Sequence, residues 1–225
     1  MKLIEYFHGF QGEGNTIGKN SLFLRFPSCN LKCKCCDSSY TWYQQNVKEV
    51  PDKDIFKECL KVSNIIFTGG EPLLEKNLKE CLKIMTMFPN KTYEFETNGT
   101  LAIDKEFQEI FSSIFNIQFN ISPKSNVEQV KNIKVSSLKL WNQVKDSNKS
   151  YIFKYLFKNM DDLDFITIDT LSRSIPANKI YVQPIGVSAN KVISLSKKYY
   201  NYILDRGWNL SPRMHTILFG KKRRV

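Results

Sequence analysis

Apolar residues in this chain come in short β-branched and aromatic bursts, each closed by glycine, proline or a polar turn. This pattern predicts strands in "SLFLRF" (21–26), "NIIFTGGEPLL" (64–74), "TYEFETNGT" (92–100), "IQFNISPK" (117–124), "SYIFKYLF" (150–157), "DFITID" (164–169) and "KIYVQPIG" (179–186). Between several of them the period changes to that of a helix. "PDKDIFKECLKV" (51–62) sets Ile55, Cys59, Leu60 and Val62 on one rough apolar face. "NLKECLKIMTMF" (77–88) does the same with Leu78, Leu82 and Met85, and "SANKVISLSKKYY" (188–200) reads as a late helix.

Alternation of strand and helix implies an α/β fold with a mostly parallel sheet and helical crossovers. The expected form is a single domain over residues 1–225, built as a partial or modified (β/α) barrel. There are fewer clear helices than an eight-unit barrel needs. The polar motifs "GGEP", "TNG", "SPK" and "QP" all fall at C-terminal strand ends, where such folds collect their chemistry. Residues 126–150 interrupt the alternation and read as an insertion of a helix or two with a polar loop.

Composition narrows the class. Hydrophobic residues are 42% and charged residues 24%, which fits a globular chain with a sizeable core. No apolar run approaches the roughly 18–20 residues of a membrane span. The start, "MKLIEYFHGFQGEG", lacks a signal-peptide pattern, so a cytoplasmic protein is expected. The net charge of +11 favours an anionic ligand. The lysines are scattered, so no direct nucleic-acid role is expected.

Four of the six cysteines lie between positions 29 and 36. Cys29, Cys33 and Cys36 have C-x3-C-x2-C spacing in a loop over 27–40. Three thiolates on one close loop suit three corners of a [4Fe–4S] cluster, leaving one iron open to a small chelating molecule. Structural zinc is a second reading, but it wants four ligands, and Cys35 adjoins Cys36 awkwardly. A redox dithiol is a third. Cys59 and Cys81 sit in helix-like stretches and read as core filling. Paired glycines in "GGEP" let a backbone approach a ligand, although Gly–Gly after a strand is also an ordinary turn. "ETNGT", "SPK" and "QPIG" carry the same two readings.

The cysteine loop after a first strand resembles the signature of the radical S-adenosylmethionine (SAM) superfamily. One departure is Cys35, where that superfamily usually has an aromatic residue. The longer string "FHGFQGEGNTIGKNSLFLRFPSCNLKCKCCDSSY", with "GGEP", "ETNG", "SPK", "QP" and "SPRMH", is similar to the 7-carboxy-7-deazaguanine synthase family. The resemblance touches most of the chain and is weakest in the insertion.

The resemblance implies the following roles. Cys29, Cys33 and Cys36 hold the cluster. SAM is met by Cys35, Cys36, Asp37, Gly69, Gly70, Glu71, Gly99, Ser122, Pro123 and Lys124, with Gln183, Pro184, Ile185 and Gly186 from a later strand. The substrate, 6-carboxy-5,6,7,8-tetrahydropterin, meets the backbone of Phe10, Gln11 and Gly12 and the side chains of Glu13, Arg25, Thr97 and His215, with Arg213 near the last. Ser38, usually threonine in the family, helps bind Mg²⁺. A SAM-derived 5′-deoxyadenosyl radical takes the hydrogen at C6, the ring contracts, and ammonia leaves. No side-chain base is assigned. A flavodoxin or ferredoxin is the implied electron donor, and a homodimer the implied assembly. The competing readings are a radical SAM activase acting on a protein glycine and a zinc-bound nucleic-acid module.

Overall fold

The structure is a computed structural model that describes residues 1–33, 36–113, 116–124, 138–144 and 149–224. The chain divides into two compact units, Met1–Gly9 with Asn20–Tyr151, and Phe10–Lys19 with Ile152–Val225.

The first unit carries β1 (Lys2–Leu3), β2 (Glu5–Phe10), β3 (Asn20–Phe26), β4 (Lys48–Glu49), α1 (Asp52–Leu60), β5 (Asn64–Gly69), α2 (Glu75–Met87), β6 (Thr92–Thr97), α3 (Lys105–Ser113), β7 (Ile117–Ile121) and α4 (Lys139–Val144). β1 pairs with β4 as a small antiparallel ladder. The main sheet of this unit runs β2-β3-β5-β6-β7, and β3, β5, β6 and β7 are parallel to one another.

Strand alternation gives that sheet two different faces. One is aromatic: Phe67 lies 4.9 Å from Phe95, which lies 5.5 Å from both Phe119 and Phe111 of α3. Tyr93 adds its hydroxyl to Phe88 O at 2.6 Å, tying β6 to the end of α2. The opposite face carries a buried polar row. Asn64 Nδ2 donates to Ser21 Oγ and Glu94 Oε1, each at 2.8 Å, and Asn120 Nδ2 donates to Glu96 Oε1 at 2.9 Å. The strands expected at 21–26, 64–74, 92–100 and 117–124 are present, the last three ending sooner, at Gly69, Thr97 and Ile121, and the helices expected at 51–62 and 77–88 are present with small shifts at their ends. Of the expected insertion, only 138–144 and 149–150 lie within the described residues, and α4 supplies one helix there.

The second unit carries β8 (Ser150–Phe157), α5 (Met160–Ser172), β9 (Ile180–Pro184), α6 (Ala189–Lys198), α7 (Tyr200–Asp205), β10 (Asn209–Leu210) and α8 (Met214–Phe219), β8 beginning two residues inside the first unit. β8, β9 and β10 are successive parallel neighbours.

One expectation is corrected here. "DFITID" is not a strand but the middle of α5. Asn159 caps that helix by accepting from the Asp162 N–H at 3.1 Å, and Asp161 and Asp162 occupy its first turn, where the helix dipole favours them. Leu163, Ile166 and Thr170 are buried while Ile168 and Leu171 face out. Within six residues that helical spacing mimics strand alternation. The expected late helix is present but breaks at Tyr199 into α6 and α7. No helix among the described residues is long and apolar enough to cross a membrane.

Candidate active site

In the first unit, the loop after β3 is pinned from below. Gly69 has φ +123°, and a Cβ there would run into the backbone of Phe26; a Cβ on Gly70 would land on Ser28 O. The backbone can therefore close on the loop: Gly70 N–H donates to Phe26 O at 3.0 Å and Glu71 N–H to Ser28 O at 2.8 Å. Asn77 adds Nδ2 bonds of 2.9 Å to Pro27 O and Glu71 O. The paired glycines thus fasten the cysteine loop to the end of β5.

Glu71 joins this fastening to the next strand end. Its carboxylate accepts from Thr97 Oγ1 at 2.7 Å, from Asn98 N–H at 2.9 Å and from Leu73 N–H at 3.1 Å. Burial pushes the Glu71 pKa upward, and these donors together with the Lys124 charge oppose the rise without cancelling it. The Thr97 hydroxyl, expected to face substrate, donates to Glu71 here and also receives Gly99 N–H at 3.1 Å. Gly99 holds φ +75° against Ile121, a conformation suited to glycine.

The described cysteines of the loop are free thiols, Cys33 buried and Cys29 and Cys36 half-buried. Cys35 lies outside the described residues. Two N–H donors gather at the Cys29 sulfur, and a hydroxyl lies near that of Cys36. Leu31 N–H reaches Cys29 Sγ at 3.4 Å, Asn98 Nδ2 lies 3.8 Å from the same sulfur, and Ser38 Oγ lies 3.8 Å from Cys36 Sγ. Asn98 is itself held by Asn30 Oδ1 at 3.0 Å, and its own Oδ1 accepts from Thr100 N–H and Oγ1. Burial is the main cause of a Cys29 pKa pushed up to about 12; Leu31 N–H opposes it, and Glu71, Cys33 and Cys36 add to it. Burial and the neighbouring sulfurs make ionisation of Cys29 costly, and a bound cationic iron centre would offset that cost.

Among the described residues no three Cys, His, Asp or Glu side chains are gathered tightly enough to hold a single ion. The corner ligands of a cubane stand farther apart than the ligands of one ion. Three soft thiols on one loop, with two N–H donors at the Cys29 sulfur, fit an iron–sulfur cluster with one iron left open. Beside them, Ser38 Oγ donates to Asp37 Oδ1 at 3.2 Å, which puts two oxygen donors together. Lys124 Nζ donates to Ser122 Oγ at 2.7 Å at the end of β7. Arg25 Nε donates to buried Glu5 Oε1 at 2.9 Å, and Tyr40 OH reaches that oxygen at 3.0 Å.

The second unit builds a separate charged group. Glu13 Oε2 takes Lys154 Nζ at 2.9 Å and Glu13 Oε1 takes Arg213 Nε at 3.1 Å, with His215 Nε2 4.0 Å from Oε1. Burial would raise the Glu13 pKa, but Lys154, Arg213 and His215 outweigh it and hold the carboxyl well below the usual range. Gly12 leaves room for the His215 ring, which a Cβ would strike, and Gly12 O accepts Met214 N–H at 2.9 Å. Gln11 is buried and its Oε1 receives Glu13 N–H at 3.2 Å, while Phe10 is 60% exposed. Gln183 at the end of β9 donates to Ser211 Oγ at 3.2 Å, and the same oxygen accepts Gly14 N–H at 2.8 Å. Ile185 N–H closes back to Phe157 O at 2.8 Å, beyond Pro184, and Gly186 packs closely on Lys191 and Val192.

Residues 24–154 match the radical SAM superfamily. Over 98% of its length this chain is 32% identical to 98% of the 7-carboxy-7-deazaguanine synthase of Thermoplasma acidophilum. This chain belongs to the radical SAM superfamily, and within it to the 7-carboxy-7-deazaguanine synthases. The Clostridium acetobutylicum protein of that name is 28% identical over 99% of this chain and 98% of its own. The crystal structure of QueE from Escherichia coli superposes with a TM-score of 0.68 at 19% identity, covering 95% of this chain and 94% of that one, which establishes the shared fold. Superfamily membership brings with it a [4Fe–4S] cluster and SAM, and the matches favour the synthase over the activase and zinc readings.

Several residues of these two groups, one in each unit, were not singled out from sequence. Lys154 reads as the outward position of a strand, yet it is 3% exposed and paired with Glu13. Glu5, Asn30, Asn77 and Asn98 lie within noted strings without a role of their own. Only their partners across the fold give them a role.

Proposed function

We propose that this protein converts 6-carboxy-5,6,7,8-tetrahydropterin to 7-carboxy-7-deazaguanine with loss of ammonia. The observation that carries the reading is the Glu13 carboxylate held ionised by Lys154 and Arg213, in a chain that matches synthases of this name over nearly its whole length. The reaction is redox-neutral overall and makes the enzyme a carbon–nitrogen lyase.

Cys29, Cys33 and Cys36 would hold the cluster. When bound, the cluster and SAM supply the radical that removes a hydrogen atom from the substrate. Gly69, Gly70, Glu71, Gly99, Ser122, Pro123, Lys124 and Gln183 to Gly186 are the SAM-side residues in this reading, with Asp37 and the backbone around Cys35 and Cys36. Glu71 and Thr97 serve it through their mutual hydrogen bond, which fixes the two strand ends in register. Ser38 and Asp37 offer oxygens to Mg²⁺, a cation that takes few protein ligands. Arg25 has no partner for its terminal nitrogens among the described residues, so its fork is available to the substrate carboxylate. Glu13 accepts from the ring N–H edge, the backbone of Phe10 to Gly12 lines the ring, and His215 donates to it. These residues bind and orient, which is where the protein's share of the rate arises.

The reading extends to a flavodoxin- or ferredoxin-type reductant, a homodimer, a cytoplasmic setting and a place in 7-deazapurine synthesis such as that of queuosine for tRNA. The test is anaerobic. The protein is reconstituted with iron and sulfide and given SAM, Mg²⁺, reductant and carboxytetrahydropterin, and the product is analysed by mass spectrometry. A product lighter than substrate by one ammonia and co-eluting with 7-carboxy-7-deazaguanine supports the proposal. Cleavage of SAM with the pterin left intact rejects it.

A further inference from the structure

Lys154 is the least expected member of the charged group in the second unit. It sits on β8 between Phe153 and Tyr155, and its ammonium is buried with a 3%-exposed side chain. A lysine rarely gives up its hydration unless a fixed anion replaces it. Its anion is Glu13 Oε2 at 2.9 Å. The other oxygen, Oε1, receives Arg213 Nε at 3.1 Å.

An ionised carboxylate has about four lone-pair sites, two on each oxygen. Lys154 and Arg213 take one on each. The carboxylate is therefore locked in orientation and still offers one acceptor site per oxygen. Two parallel acceptors match two adjacent N–H donors on one ring edge. The 2-amino-4-oxopyrimidine of a pterin presents such an edge through its ring N–H and its exocyclic amine.

We propose that Lys154 is a positioning residue that, with Arg213, holds Glu13 as a paired hydrogen-bond acceptor selecting substrates with an aminopyrimidinone edge. The inference rests on the synthase reading and names the origin of its selectivity. The titratable groups facing Glu13 are Lys154 from β8, Arg213 from the loop after β10 and His215 from α8. Removing Lys154 leaves burial to act on Glu13 with fewer opposing charges. Its pKa then rises, and a protonated carboxyl no longer accepts on both oxygens.

The test compares wild type with Lys154→Met, and with Lys154→Arg, which keeps the charge. Each is checked for folding by circular dichroism. Two probes are used: 6-carboxypterin, a non-reacting oxidised ring followed by its fluorescence, and 6-carboxylumazine, which replaces the exocyclic amine with an oxo group. Wild type should bind carboxypterin well over tenfold more tightly than carboxylumazine, with a flat pH dependence between about pH 5.5 and 8 apart from any contribution of His215, which all three proteins share. Lys154→Met should bind carboxypterin about tenfold or more weakly, as expected for a lost charge-assisted hydrogen bond network. Its preference should shrink, and its binding should weaken further as pH falls. Turnover should show the loss in KM rather than in kcat, and Lys154→Arg should recover part of it. If wild type turns over carboxytetrahydropterin but Lys154→Met keeps the same preference and the same pH profile, the inference is overturned while the synthase reading stands. If Lys154→Met does not fold, Arg213→Gln, which removes the other charge on Glu13, carries the same comparison, and an unchanged preference with an unchanged pH profile in that variant overturns it. Failure of wild type to bind or convert either pterin rejects the synthase reading itself.

Discussion

Glu5 Oε1 holds the Nε of Arg25 at 2.9 Å, and among the described residues the two terminal nitrogens of that guanidinium have no hydrogen-bond partner. One edge of the fork is thus anchored and the other is presented. A lysine could satisfy Glu5 or a substrate carboxylate, but not both with planar geometry. Arg25→Lys should raise the KM for carboxytetrahydropterin about tenfold or more, while SAM binding changes little. Steady-state kinetics with both ligands varied checks this, and an unchanged KM counts against the assignment.

Gly70 sets up a contrast with Gly18. A Cβ on Gly70 would meet the Ser28 carbonyl, whereas one on Gly18 would meet nothing within 4 Å, although both its φ of +88° and its turn favour glycine. Gly18→Ala should cost about 1–2 kcal/mol of stability from backbone strain alone and retain iron. Gly70→Ala should displace the cysteine loop and lower iron and sulfide incorporation after anaerobic reconstitution. Equal iron content in the two variants would show that the close approach is not needed.

Glu71→Gln removes one of the two acceptor oxygens that serve Thr97, Asn98 and Leu73. Chemical denaturation should show a loss of about 2–3 kcal/mol near pH 5, where a buried donor is left unmatched. The sign of the pH effect follows from the raised Glu71 pKa. The folded protein keeps this proton longer than the unfolded chain does. The associated stability is present below the unfolded pKa and fades as pH rises through the folded one. The gap between wild type and Glu71→Gln should therefore narrow as pH rises toward 8. A gap that widens contradicts the assigned shift.

Asn98 places an amide donor 3.8 Å from Cys29 Sγ and braces Asn30 and Thr100. Hydrogen bonds to ligand sulfurs favour the reduced form of an iron–sulfur cluster. Asn98→Ala should shift the midpoint potential to a more negative value, measured by redox titration with electron paramagnetic resonance. A positive shift would place the donor's effect elsewhere.

Much of the fold was legible because its strands are buried on both faces or nearly so, as at Ile65, Ile66 and Phe67, and end in conspicuous turns. "DFITID" misled because six residues cannot separate the two periods, and the capping Asn159 lies outside that window. The cysteine loop and "GGEP" were legible as motifs, but not the physical use of the glycines, which depends on a backbone about forty residues away. The Glu13 group was half legible. Glu13 and His215 stand in recognisable strings, while Lys154 comes from 141 residues away and looks like an ordinary strand lysine. Local pattern carries elements and motifs; partners distant in sequence carry the electrostatics.

The central claim is that a radical generated from SAM takes the hydrogen at C6 of carboxytetrahydropterin. The most direct measurement is the fate of deuterium placed at C6, read by mass spectrometry of 5′-deoxyadenosine and SAM during anaerobic turnover. The account predicts deuterium in the adenosyl moiety together with 7-carboxy-7-deazaguanine. Unlabelled adenosyl products formed alongside intact, fully deuterated substrate would contradict it.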